Sequence, residues 1–150
     1  MWFRNNAPWK PTPLKIVKRM LELANVENTD IVYDLGSGDG RILIITVKKF
    51  KAKAVGIEIS IFRYFLIQFI VTVLRLRKHV KVIHGDLFLQ DLSEASVVTC
   101  YLLQRMNNQL IEKFKKELKP GTRIVSYCFS FTGLELVSKD VDEEIFVYKI

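Results

Sequence analysis

The stretch IVYDLGSGDGRI, Ile31 to Ile42, joins an apolar pentad to three glycines inside five positions. Ile31–Leu35 is short and free of proline, as expected of a strand buried on both faces. Gly36, Gly38 and Gly40 follow Asp34 in the order D-x-G-x-G-x-G, with Ser37 between the first two. Glycine there permits positive φ and lets a ligand approach the backbone with no Cβ in the way. The spacing excludes two common phosphate cradles. A dinucleotide fingerprint puts its third glycine one place later, where Arg41 stands. A P-loop needs G-K-[ST], which is absent. The loop therefore reads as a nucleoside-like site that does not demand a pyrophosphate.

Upstream, Thr12 and Pro13 predict the start of a helix, Thr12 as N-cap and Pro13 at the first helical position. Val17, Met20, Leu21 and Ala24 then fall on one face. Downstream, residues 41–49 have a helical period and Ala54–Ile59 reads as a second buried strand. Residues 60–78 read as a helix, VKVIHGD as a third strand and ASVVTCYLL as a fourth. NNQLIEKFKKELKPG predicts a helix closed by Pro120-Gly121, TRIVSYCFSF a fifth strand, and EIFVYKI an alternating final strand. Strands separated by helical stretches imply parallel βαβ units. The expected fold is α/β: a doubly wound, Rossmann-like, mostly parallel sheet with an antiparallel C-terminal strand, in a single domain over residues 1–150. Such sheets bind ligands beyond the carboxyl ends of their strands, where the glycine loop lies.

Glu58 stands 22 residues after Gly36, at the end of the second strand. A carboxylate there can accept hydrogen bonds from both ribose hydroxyls of an adenosine. Loop and carboxylate together in one βαβ unit predict a nucleoside cofactor site.

The chain carries 23 Lys and Arg against 16 Asp and Glu, a net +7. The excess lies in residues 1–81, with 15 basic and 6 acidic groups. This asymmetry suits an anionic partner or a solvated lysine-rich surface. Cys100 and Cys128 have neither metal-site nor disulfide spacing, and no metal is expected. Buried free thiols and the lack of a signal-peptide pattern point to the cytoplasm.

VYDLGSGDGR, VGIEI and HGD, in that order, resemble the class I S-adenosylmethionine-dependent methyltransferases. The resemblance implies that Asp34 and the glycine loop hold the methionine end, Glu58 with Ile59 the ribose, and Asp86 the adenine amino group, with Leu87 beside the ring. PWKPTPLKIVKRMLELANV, GDLFLQDLSEASVVTCYLL and LKPGTRIVSYCF extend the likeness. They are similar to the small archaeal protein-lysine methyltransferases, a family that includes the lysine methyltransferase of the ATP synthase c-ring protein. In that family an aromatic-x-Pro-Thr/Ser segment folds over the cofactor, which implies this role for residues 1–12, with Trp9, Pro11 and Thr12 at the site. The chain departs from the family pattern at Ser126-Tyr127-Cys128-Phe129, where an acidic residue or histidine is common after VS.

The implied activity is transfer of methyl from S-adenosyl-L-methionine to a neutral lysine amine of a protein substrate. Tyr101, at the end of the fourth strand, is the first candidate for an aromatic wall of the lysine channel, followed by Trp9, Tyr127 and Phe129. Neither His79 nor His84 is placed to act as a base. An RNA methyltransferase is the alternative that the basic first half supports. Against it, TCYLL lacks the N-P-P-Y tetrad of base-amino methylases. A non-catalytic S-adenosylmethionine-binding protein is the third reading.

One segment is left over. In IFRYFLIQFIVTVLRLRKH, Ile61 to His79, eleven residues from Tyr64 to Leu74 carry no charge. Gln68, Thr72, Arg75 and His79 fall on one narrow stripe, and apolar groups cover the rest. A helix lying on a sheet needs one apolar stripe, and a span needs about 20 residues. The expectation is an association surface for a second copy, a protein partner or an anionic membrane surface, with protein ahead of lipid.

Overall fold

A computed structural model describes residues 9–150 of the chain. Among the described residues seven strands form one sheet: β1 (Ile31–Leu35), β2 (Lys53–Glu58), β3 (Val80–His84), β4 (Val97–Cys100), β5 (Arg123–Tyr127), β6 (Glu135–Asp140) and β7 (Ile145–Lys149). Their spatial order is β3-β2-β1-β4-β5-β7-β6. The first five are parallel, while β7 runs antiparallel to both β5 and β6. The strand order reverses between β1 and β4, which opens a crevice at their carboxyl ends.

The mostly parallel sheet with one opposed strand, β7, agrees with the sequence reading; the strand it did not anticipate lies beyond β7, pairs antiparallel with it and so runs in the direction of the first five. The additional one, β6, is ELVSKD. It is a charged, largely exposed edge strand with a register shift at Leu136/Ser138, so its side chains show no clean alternation.

Four helices, α1 (Leu14–Leu23), α2 (Arg41–Phe50), α3 (Ile61–Val73) and α4 (Gln104–Glu117), cover the sheet unequally. Alternation along each strand separates the two faces. Val32, Val97 and Val125 pack with Ile16, Val17, Met20 and Leu21 of α1, and Ala54 and Val82 pack with α2 and α3. On the other face Leu35, Ile57, Val98 and Ile124 meet Met106, Leu110 and Phe114 of α4. Residues 85–96 pass from β3 to β4 without a helix and add Leu87 and Leu92 to that second layer.

Two helix boundaries differ from expectation. Thr12 does not cap α1. Pro13 holds the N-cap position in an extended conformation, and its carbonyl accepts from Ile16 and Val17. The Thr12 carbonyl instead accepts from Arg41 Nη1 at 2.9 Å. The helix expected over 61–79 stops at Val73. Leu76 N–H reaches back to the Val71 carbonyl across Arg75, whose φ is 58°, a closure of the last turn that places Arg75 and His79 off the helix.

Candidate cofactor site

The glycine loop hangs from the end of the neighbouring strand. The amides of Gly36 and Ser37 both donate to the Ile57 carbonyl, at 2.9 and 3.1 Å. Gly38 N–H donates to Glu58 Oε2 at 2.8 Å. Gly56 in β2 makes this approach feasible: a Cβ there would stand 2.5 Å from Ser37 Oγ and from Leu43 Cδ1.

The glycines have different tasks. Gly38, at φ 58°, lies under the Trp9 indole, and a Cβ on it would stand 2.3 Å from Nε1. Gly40 caps α2 in the left-handed region and packs against Ile67 of α3, 3.0 Å from where a Cβ would sit. It is thus a packing position and does not line the cleft, unlike Gly36 and Gly38.

The cleft is open to solvent at its mouth. Pro11, Thr12, Asp34, Gly36, Ser37, Gly38, Glu58, Ile59, Asp86 and Leu87 all line it. Trp9 and Tyr101 line it as well. The expected covering segment therefore reaches the site through residues 9–12, while residues 1–8 lie outside the described residues. Arg41 pins this segment. Its guanidinium grips the Asp39 carboxylate and, through Nη1, the Thr12 carbonyl. The Arg41 side chain accordingly holds the Asp39 carboxyl below the ordinary carboxylate range.

Asp34 is 2% exposed and forms no salt bridge among the described residues. The Thr99 hydroxyl donates to its Oδ1 at 2.7 Å. Burial pushes its pKa up to about 7, against the opposing effect of that hydrogen bond. A buried carboxyl facing a cleft and short of a cation fits a ligand with a positive end. Glu58, 3% exposed, accepts from Gly38 on one oxygen and from Ser60 N–H and Arg63 Nε on the other. Asp86 Oδ1 accepts from Phe88 N–H, so this residue closes its own turn while it lines the cleft. The acidic ends of three strand–loop junctions thus converge on one cleft, a fit to a cationic nucleoside.

Past Asp34, Tyr101 and Tyr127 pack with ring centroids 4.7 Å apart. Of this pair only Tyr101 lines the cleft; Tyr127 and Phe129, both expected at the site, do not. The Phe129 carbonyl accepts from Asn107 Nδ2 and from the Ser126 hydroxyl, which fixes the chain after β5. Burial raises the pKa of both tyrosines, so the rings stay neutral phenols. The Cys128 thiol is raised too, by burial first and by the Glu144 carboxylate second. Cys128 and Glu144 face each other across the end of the β5–β7 pairing, with Cys128 N–H donating to the Glu144 carbonyl at 2.8 Å. Both adopt positive φ, 68° and 56°. Strained non-glycine residues cluster at functional sites. Sequence reasoning missed Glu144, whose position depends on the antiparallel return of β7. It also left Gly56 unread, although a glycine inside a central strand signals a close approach.

A glycine loop tied to a strand-end carboxylate at the switch point of a doubly wound sheet defines a nucleoside-cofactor-binding protein of the Rossmann-like class. Residues 34–138 match the model of the ANTKMT methyltransferase domain, and the chain belongs to that family. It is an S-adenosylmethionine-dependent methyltransferase. The chain is 46% identical, over 85% of its length and 80% of the relative's, to a protein-lysine N-methyltransferase of Saccharolobus islandicus strain REY15A. It is 30% identical over 83% of its length to the Xenopus laevis lysine N-methyltransferase named for the c-ring protein of ATP synthase, and spans about half of that relative (54%). Among solved structures, an RNA methyltransferase from Salinibacter ruber in complex with S-adenosyl-L-homocysteine is similar with a TM-score of 0.86 and 40% identity, over 93% of this chain and 92% of that one.

Proposed function

We propose that this protein is a protein-lysine N-methyltransferase of the cytoplasm, carrying methyl from S-adenosylmethionine to a lysine side chain of a protein partner. The observation that carries the reading is Tyr101, which lines the cleft that starts at buried Asp34 and packs its ring against Tyr127. The 46% identity to a protein-lysine methyltransferase supports it.

In this reading Asp34, Gly36, Ser37 and Gly38 hold the methionine end, Glu58 and Ile59 the ribose, and Asp86 and Leu87 the adenine. Trp9, Pro11 and Thr12 cover it. When bound, S-adenosylmethionine supplies a methyl already activated on a sulfonium. The chain's task is to bring an amine into line with it. A lysine arrives as a cation, with a reference pKa of about 10.4. Glu144 and the faces of Tyr101 and Tyr127 attract that cation. Attack requires the neutral amine, at a cost of roughly 4–5 kcal/mol at pH 7. Leu102 and Met106, which line the cleft beside Tyr101, favour the uncharged form by excluding water. The proton leaves to solvent.

The second reading is RNA methylation. The name carried by the Salinibacter relative and the basic residues 1–81 favour it. Methyl-labelled S-adenosylmethionine, offered with the protein and fractionated cell extract, separates the two. Label on lysine in the protein fraction is expected, and label confined to RNA would reverse the assignment.

A further inference from the structure

Helix α3 carries its apolar surplus outward. Ile67 and Val71 are its buried residues. On the opposite side Ile61, Phe62, Phe65, Leu66, Phe69 and Val73 are exposed, Phe62 at 81% and Phe69 at 67%. At about 100° per residue these six occupy an arc of about 140°, interrupted only by Thr72 at one margin. Surface helices of soluble domains present polar groups on that arc, and a contiguous apolar patch of this kind marks an interaction site.

The surrounding charge is one-sided. From Ile59 to Gly85 there is no Asp or Glu, while Arg63, Arg75, Arg77, Lys78 and Lys81 supply five cations. Glu58 holds Arg63. The other four follow the end of α3 and lie at the surface. Arg77 shares a shallow groove with Tyr64, Phe65, Phe69 and Thr72, so a cation borders the aromatic patch itself.

We propose that the outer face of α3 docks in the plane of an anionic lipid surface, with the phenylalanines in the acyl boundary and Arg75, Arg77, Lys78 and Lys81 on the headgroups. A second copy of the chain fits less well. A two-fold interface centred on α3 would bring two sets of these cations together with no carboxylate from residues 59–85 to answer them. Nor does α3 cross a bilayer. Its 13 residues fall short of the roughly 20 needed, and no described helix is long and apolar enough to span. An apolar arc with flanking basic groups is the pattern of in-plane binding. The first turn of α3 also supplies Arg63 to the cleft, so docking sets the cofactor site beside the headgroups.

The test is co-sedimentation of the full chain, loaded with S-adenosylhomocysteine, with vesicles of phosphatidylglycerol and phosphatidylcholine, against vesicles of phosphatidylcholine alone. Binding to the anionic vesicles is expected. It should weaken in high salt and fall at least tenfold in the double variant Phe65→Ser/Phe69→Ser, with the ligand-induced rise in melting temperature retained as proof of folding. A separate Phe69→Trp variant should show blue-shifted emission on anionic vesicles only. Equal sedimentation with both vesicle types, binding untouched by the double variant, or no spectral shift would overturn the proposal. So would a wild-type dimer in light scattering that the double variant dissociates, because the face would then belong to a second copy.

Discussion

The backbone N–H of Gly38 donates to Glu58 Oε2 at 2.8 Å across 20 residues of chain. The carboxylate assigned to the ribose therefore also sets the shape of the loop assigned to the methionine end. Its other oxygen holds Ser60 N–H and Arg63, so both oxygens act as acceptors. Glu58→Gln would turn an amide NH₂ toward one of these donors, and the conservative change should cost nearly as much as Glu58→Ala. Each lost hydrogen bond to the charged group is worth roughly 1.5–3 kcal/mol. Calorimetry should show S-adenosylhomocysteine affinity at least tenfold weaker in both variants. Unchanged affinity would remove the assignment.

Asp34 predicts a pH dependence. Its folded pKa of about 7 lies above the unfolded value of about 3.9. The folded state keeps the proton that the unfolded state releases, so this residue's contribution to stability is fully present below about pH 4 and is lost as pH rises through about 7. Asp34→Asn keeps an acceptor for Thr99 and removes the ionisation. The melting temperature of the variant relative to wild type should therefore climb from pH 5 to pH 8. The α-ammonium of the ligand, which S-adenosylhomocysteine shares with S-adenosylmethionine, reverses the preference by favouring the carboxylate. Wild-type affinity for S-adenosylhomocysteine should rise with pH up to about 7 and level off above it, with proton release seen in buffers of different ionisation enthalpy. The variant should bind weakly at every pH, and a pH-independent wild-type affinity would count against a charged role for Asp34.

Gly38 and Gly40 should separate ligand binding from stability. Both have positive φ, where an alanine costs about 1–2 kcal/mol. Gly40→Ala also presses on Ile67 between α2 and α3, so its loss should appear in urea denaturation. Gly38→Ala displaces Trp9, an exposed side chain that can move, so its larger effect should fall on cofactor affinity.

At the substrate end, Tyr101→Ala should lower turnover on a lysine peptide at least tenfold with little change in cofactor affinity. Glu144→Gln should raise KM for the peptide more than it lowers kcat, because the carboxylate attracts the ammonium and takes no part in the transfer. Phe129→Ala should do far less than Tyr101→Ala, since the carbonyl of Phe129 makes the structural contacts. Steady-state kinetics on one peptide series decides all three.

The residues proposed for the methionine and ribose ends were legible from the sequence because they are local. Asp34, Gly36, Gly38 and Glu58 belong to one βαβ unit, and strand period, helix period and glycine spacing place them at adjacent strand ends. The parallel direction of β1, β2 and β3, and of β4 and β5, follows from the helices between them, whereas the helix-free passage from β3 and the seat of β4 beside β1 do not. Charged, largely exposed β6 carries no such period, which is why the sequence predicts β7 and not the edge strand beside it.

Tertiary structure decided what depends on distant partners. Glu144 meets Cys128 only because β7 returns antiparallel beside β5. Gly40 packs on Ile67, and Thr12 gives its carbonyl to Arg41 rather than its hydroxyl to a helix end. Helix α3 shows the division most plainly. Its residues determine that apolar groups cover most of its circumference, since helical period is a local property. Which arc is covered depends on where β2, β3 and α2 lie, so only the folded chain leaves Phe62, Phe65 and Phe69 facing outward.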